Sequence, residues 1–383
     1  MAVKKQSSPS QKIGIAIIYC MVIFCATAWS IKKPAYNWDT LAYMGVVLSY
    51  ENAGAKAIHN TVYSIAKQQI PAVYYGRLID PSNVYRNGMA QNPERFYSQF
   101  PFYIVKPMYT RLAWVFYKMG MGLVMATVWP SAVAYFFTSL LLFAWLNKYW
   151  PGWHAGIAST LIMLSPPILT VAALSTPDAL SGLLLFAAVF FLTEMKSLTA
   201  AFVCLILSVF ARLDNILPAI CLLSVIFFTN KWPHKIPVYG MLFLYGSLLF
   251  AYFVVSLSVC SFGWNVLFYP AFIRQLNLSY TAATAFDFAA YAALVKSQLT
   301  TGLYFSFVVF FCFLVLLLLR SDAPLAFSRL STEQILAIVF VLIMALRFLL
   351  QPLIADRLYT AYYLAIMAFL VKKNSLTVSL QQA

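Results

Sequence analysis

Apolar runs long enough to cross a bilayer recur from Ile13 nearly to the C-terminus, and nothing else in the chain restricts its fold as tightly. Within hydrocarbon every backbone N–H and C=O must be satisfied inside the chain, so spans of this kind are helices. Charged residues make up 10 % of the sequence and apolar residues 62 %. A soluble domain carries about a quarter charged residues, so lipid is the solvent for most of this chain. The expected fold is all-α: a polytopic helical membrane protein forming a single membrane-embedded domain over residues 1–383.

The first run, 13–29, follows Lys4, Lys5 and Lys12. Ala26-Thr27-Ala28 has the small-residue look of a cleavage site, but a run of about 17 residues reaches the lower limit of a span. An uncleaved span is expected, with the lysines holding the N-terminus in the cytoplasm. Residues 30–118 then form a long first exterior loop, rich in aromatic rings and expected to carry interfacial helices, amphipathic over 40–50 and 59–69. Residues 112–128 read as a further interfacial segment, interrupted by Lys118, Gly120 and Gly122.

Further spans are expected at 121–146, 155–174, 179–192, 198–210, 216–228, 236–259, 302–319, 335–350 and 358–371, making about ten transmembrane helices with both termini cytoplasmic. A second exterior loop covers 261–301. Each short loop assigned to the cytoplasm carries a Lys or Arg, as topology requires. The expected location is an integral, multi-pass plasma membrane protein of the bacterial inner-membrane type.

The net charge of +15 does not signal nucleic-acid binding, because no basic stripe and no zinc-finger spacing accompany it. The Lys and Arg residues sit at span ends and in loops, where membrane lipids with anionic headgroups are the ordinary partners. Cys20, Cys25, Cys204, Cys221 and Cys312 lie in apolar runs and read as packing residues. His59, His154 and His234 are too scattered to form a metal site.

With this topology Asp39, Glu51, Asp80, Glu94, Asp178, Asp214, Asp287 and Asp356 face outside, and only Glu194, Asp322 and Glu333 face inside. Carboxylates contribute little to insertion, so the skew points to chemistry at the outer face. Asp178 follows Thr176-Pro177, an ordinary helix start. Asp214 stands two residues from Arg212, and Asp356 beside Arg357, where local ion pairs are the simplest reading. Asp39 sits in Tyr36-Asn37-Trp38-Asp39-Thr40 just past the first span; an N-cap and a partly desolvated base are equal readings there. A helix opening at Asp39 puts Tyr43 on the same face. The cationic candidates are Arg86, Arg95, Lys106, Arg111, Arg212, Arg274, Arg347 and Arg357, a set that suits a phosphate at the outer interface. Arg347 lies inside an apolar run, where a charge is costly unless it is used or snorkels to the interface.

Four segments in this order resemble the GT-C superfamily of membrane glycosyltransferases. They are Asn37-Trp38-Asp39-Thr40-Leu41-Ala42-Tyr43, then Phe102-Tyr103-Ile104-Val105-Lys106-Pro107-Met108-Tyr109, then Ser175-Thr176-Pro177-Asp178, and finally the junctions Arg212-Leu213-Asp214 and Asp356-Arg357-Leu358. The resemblance implies a GT-C-like fold and an inverting transfer of a sugar from a polyprenyl-phosphate carrier to a lipid or glycan acceptor of the cell envelope. It implies Asp39 as the base, with Lys106 and Arg357 on the lipid phosphate. Arg86 is added from charge and loop position, and Tyr43, Tyr109, Asp178, Arg212 and Arg347 complete the expected substrate-binding set. Many members have two adjacent acids in this loop, whereas Thr40 follows Asp39 here, so no cofactor is expected and a divalent metal has no support. A chain stopping soon after Lys373 fits a small member without a C-terminal soluble domain.

Other classes account for parts of this pattern. A transporter or flippase of a lipid-linked sugar explains a basic, aromatic outer face but calls for charges in mid-span, where Arg347 stands nearly alone. An envelope polysaccharide polymerase or ligase usually has its large exterior loop late in the chain. A structural membrane subunit leaves the outer-face acids unexplained.

Overall fold

A computed structural model of the chain describes residues 9–51, 54–229, 236–258, 287–301, 311–316 and 330–381. These residues are mostly helical, with a single bridge between Ala35 and Leu174 and no strand among them. The membrane class is thus shown. Among the described residues, four helices are long and apolar enough to cross a bilayer: α1 (Pro9–Lys32), α9 (Leu123–Asn147), α15 (Val238–Ser258) and α17 (Thr332–Leu350). The pair α10 (Gly152–Met163) and α11 (Pro166–Ala173) makes a fifth if counted as one broken span.

The expected unbroken span at 155–174 is corrected here: its halves meet at 66°. Pro166 and Pro167 supply no backbone N–H, and Pro166 disfavours helix at Ser165, so the ladder ends there and a new helix starts. The apolar helices α12 (Asp178–Thr193), α13 (Leu198–Ala211) and α14 (Ile216–Phe228) are shorter than a full crossing. Helix α16 (Phe288–Thr301) and the C-terminal α18 (Thr360–Gln381) follow, and residues 311–316 are helical as well. The expected span at 302–319 lies outside the described residues except for 311–316, and the second exterior loop is described only from Asp287 onward.

The first loop folds into α2 (Trp38–Ser49), α3 (Ala55–Gln69), α4 (Ala72–Leu78), α5 (Val84–Gln91), α6 (Pro93–Ser98), α7 (Pro101–Ile104) and α8 (Pro107–Lys118). One expectation for it fails. The segment 40–50 is not amphipathic at an interface: residues Thr40 to Leu48 of α2 are all buried. A helix apolar all round belongs inside the protein, and α2 is the core element of the loop. Gly45 marks the closest approach, since a Cβ there would collide with the ring of Phe100. Helix α3 is amphipathic, as expected over 59–69, and buries Ile58, His59, Val62, Tyr63 and Ala66. The expected interfacial segment 112–128 is divided: α8 ends at Lys118, Gly120 takes φ +89, and residues from Leu123 onward belong to α9.

Two buried cores follow. One joins α9, α12, α17 and α18 through Trp145, Phe186, Phe340 and Phe369. The other packs Tyr43, Val47, Phe96 and Phe100 of the loop onto Leu123, Leu180 and Ala211 at the ends of α9, α12 and α13. The Ala35 N–H donates to the Ala173 carbonyl at 2.9 Å. The start of the loop is therefore pinned beside the Ser175–Asp178 turn, and this junction builds the site.

Polar clusters lie at both ends of α12. At its C-terminal end Glu194 meets Lys148 (2.7 Å), Lys372 (3.1 Å) and the Tyr149 hydroxyl (2.5 Å), while Lys372 also reaches Glu333 at 2.7 Å. At 1.5 Å per residue this cluster is about 24 Å from Asp178. Glu194 and Glu333, expected on one side, are thus grouped away from Asp39, Asp178 and Asp214.

Candidate functional site

Asn37 precedes α2 with an extended backbone but makes no side-chain cap. Its Nδ2 instead donates to Asp39 Oδ2 at 3.0 Å, and the Thr40 hydroxyl donates to its Oδ1 at 3.2 Å, which fixes the orientation of the amide. Asp39 is therefore not the N-cap. It stands in the first turn of α2, where its Oδ1 accepts from the Tyr103 hydroxyl at 3.3 Å and its Oδ2 lies 3.5 Å from Arg357 Nη1.

Arg357 comes from the single 3-10 turn Asp356–Leu358 between α17 and α18. Its Nε is 3.4 Å from Asp178 Oδ2. Asp178, in the first turn of α12 with a side chain 1 % exposed, also pairs with Arg212. Arg212 then grips Asp214 with two prongs, Nε to Oδ1 and Nη2 to Oδ2, each 3.0 Å. Asp214 pairs in turn with Arg347, whose Nη1 donates to the Leu358 carbonyl at 3.2 Å. An unbroken chain of charges runs Asp39–Arg357–Asp178–Arg212–Asp214–Arg347, drawn from both ends of the sequence.

Several local readings change accordingly. Arg212 does pair with Asp214, but it also reaches across to Asp178. Asp356 does not pair with Arg357; its Oδ1 accepts from the Tyr363 hydroxyl at 3.1 Å, and Arg357 faces the other way. Arg347 does not snorkel. It is 4 % exposed and spent on Asp214 and a carbonyl. Helix-start chemistry for Asp178 is correct in position but incomplete, since its carboxylate serves two arginines.

Lys106 precedes α8, with its ammonium 5.5 Å from the Tyr43 ring and 5.0 Å from the Tyr103 ring. Burial, reinforced by Arg212, pushes it down to about 8 against the pull of Asp39, Asp178 and Asp214. Tyr43 is 1 % exposed and stands edge-on to both Tyr103 and Tyr109. Tyr109 is fully buried and its hydroxyl donates to the Thr127 carbonyl at 2.5 Å, so it is part of the framework rather than a ligand-facing group. Arg86 is not brought to the site: its guanidinium donates to the Arg77 carbonyl at 2.6 Å and takes no part in the charge chain. Residue order does not mark Asn37 and Tyr103 as site residues, although both stand in the segments Asn37–Tyr43 and Phe102–Tyr109. Only the folded contacts reveal that they hold Asp39.

Four cations, Lys106, Arg212, Arg347 and Arg357, face three carboxylates, Asp39, Asp178 and Asp214. One positive charge is left over. Among the described residues Lys106 is the cation of this group without a carboxylate in ion-pair reach. Among those residues too, no three His, Cys, Asp or Glu side chains gather in a metal-binding group. Such a site can accept one further anion and, at Asp39, a proton.

No protein-family model matches the chain, and neither a curated protein nor a solved structure is similar to it.

Proposed function

We propose that this chain is a glycosyltransferase that moves a sugar from a polyprenyl-phosphate carrier to a cell-envelope acceptor at the outer face of the bacterial inner membrane. The observation that carries this reading is the surplus cation. Lys106 sits over the rings of Tyr43 and Tyr103, beside a chain of ion pairs that ends at Asp39. A phosphate brings the missing negative charge, and it competes with Asp39 for Arg357. As Arg357 turns to the phosphate, Asp39 Oδ2 is released as an acceptor, still held by Asn37.

The acceptor hydroxyl then gives its proton to Asp39 as its oxygen attacks the anomeric carbon from the face opposite the phosphate. The anomeric C–O bond breaks, its electron pair stays on the polyprenyl phosphate, and Arg357 and Lys106 stabilise that charge. The product sugar has the inverted configuration, and Asp39 returns its proton to water. Arg212, Asp214, Asp178 and Arg347 hold Arg357 in place and do not touch the reacting atoms. This reading keeps the GT-C-like arrangement of about ten spans, both termini cytoplasmic and the first loop outside.

Two results are expected from it. Donor binding needs charged Lys106, and a lysine is charged below its pKa. The KM for the polyprenyl-phosphate sugar is therefore expected to rise between about pH 7 and about pH 9.5, with a midpoint near 8. Lys106→Met should raise KM at pH 7 and flatten the profile; a wild-type KM that ignores pH contradicts the assignment. Second, Ser82 is exposed in the first loop. In a chain stripped of its native cysteines, Ser82→Cys in intact cells should react with a membrane-impermeant maleimide added outside. Labelling only after lysis contradicts the exterior placement.

A further inference from the structure

The loop holds a second group of polar side chains that the transfer chemistry does not use. Gln99 is fully buried, and its Oε1 accepts both from Trp38 Nε1 (3.3 Å) and from the Tyr85 hydroxyl (3.1 Å). Its Nε2 has no partner. One helical turn earlier Arg95 is in the same condition: its Nε and Nη2 are buried and unpartnered, and no carboxylate among the described residues pairs with it. Positions i and i+4 share a helix face.

A buried donor left unmade is costly, and a buried guanidinium without a counter-charge more so. The unspent groups of Arg95 and Gln99 are all donors. Nε and Nη2 are the two groups on one edge of a guanidinium, the edge that grips a carboxylate through parallel bonds. Gly88 makes room for this guanidinium, because a Cβ there would collide with Arg95 Nη1. Gly88 and Arg95 are themselves only half-buried, so the fork lies just under the surface. Trp38, whose ring stands 5.5 Å from Tyr85, links this group to the neighbouring Asp39.

We propose that Arg95 and Gln99 form a carboxylate-binding site behind Trp38, and that the carboxylate is carried by a sugar of the uronic acid type. The second clause rests on the transfer reading; the first does not. The planar fork takes one carboxylate side-on, through Nε and Nη2, and Gln99 Nε2 adds a third donor. The site is separate from the phosphate position at Lys106 and Arg357.

The test is thermal melting of the full chain in detergent, titrated with D-glucuronate, D-glucose and acetate at matched ionic strength. Glucuronate is expected to raise the melting temperature saturably while glucose does not. Arg95→Lys keeps the charge but loses the fork, and should weaken the half-saturating concentration by about tenfold or more. If that variant does not fold, Gly88→Ala, which displaces the guanidinium, should give the same loss. Equal responses to glucuronate and glucose, or unchanged glucuronate binding in both variants, overturn the site. Acetate acting as strongly as glucuronate supports the carboxylate site and overturns the sugar. Since no turnover is measured, failure here leaves the transfer reading intact, and failure of transfer leaves this binding result standing.

Discussion

Asp39→Asn is expected to lower kcat for sugar transfer by about 10²–10⁴-fold, the usual contribution of a positioned general base. The substitution keeps the shape of the side chain and an oxygen for the Tyr103 hydroxyl to bond. It removes the group that takes the acceptor proton. Arg357 loses one partner but retains Asp178 at 3.4 Å, so the charge chain behind the site survives. The KM for the donor should therefore stay the same or fall, because Asp39 no longer competes for Arg357. The initial rate of polyprenyl phosphate release, measured on a variant that melts like the wild type, checks this. A rate within about twofold of wild type would remove Asp39 from the chemistry.

The second large effect falls on stability. Arg212 is the middle cation, touching both Asp178 and Asp214, and its side chain is 13 % exposed. Replacing it by leucine leaves two carboxylates with one cation each in place of two, at the junction where the loop meets α12 and α13. Breaking a buried pair by removing one partner costs about 3–5 kcal/mol. Arg212→Leu should accordingly melt far below the wild type in detergent and lose activity together with its fold. Arg212→Lys should fall between them, since a single ammonium cannot reproduce the two-pronged grip on Asp214. If Arg212→Leu melts at the wild-type temperature, the charge chain does not hold the junction together.

Much of this was legible from residue order, for reasons that differ by residue. The apolar runs declared a membrane protein because no other solvent tolerates so few charges. Asp178 and Arg212 stand out at span junctions, Arg347 inside an apolar run, and Asp39, Lys106 and Arg357 in segments that resemble family motifs, and the fold gathers all six into one site. What the sequence left hidden was pairing. Arg212 and Asp214 are near in sequence and do bond, whereas Asp356 and Arg357 are adjacent and do not, because successive residues of a tight turn point in different directions. Which remote acid each arginine meets depends on how the loop docks, and that is a tertiary fact.

The burial of α2 escaped periodicity because Leu41, Met44, Val47 and Leu48 resemble one apolar face. Its other side carries Ala42, Gly45 and Val46, small enough to bury as well. The break at Pro166-Pro167 was in plain view, and an unbroken span was expected only because the hydropathy runs on through it. Arg86 looks like a phosphate ligand from its charge and loop position, and a backbone carbonyl of its own loop takes it instead.

The most direct measurement is a reconstitution. The purified chain is placed in liposomes with a polyprenyl-phosphate sugar labelled in the sugar, together with candidate lipid and glycan acceptors. Labelled product and free polyprenyl phosphate are measured alongside movement of the intact donor across the bilayer. The predicted result is one polyprenyl phosphate released for each sugar transferred, with inversion at the anomeric carbon and no release from Asp39→Asn. Intact donor crossing the bilayer without release of polyprenyl phosphate would contradict the account and make the protein a transporter.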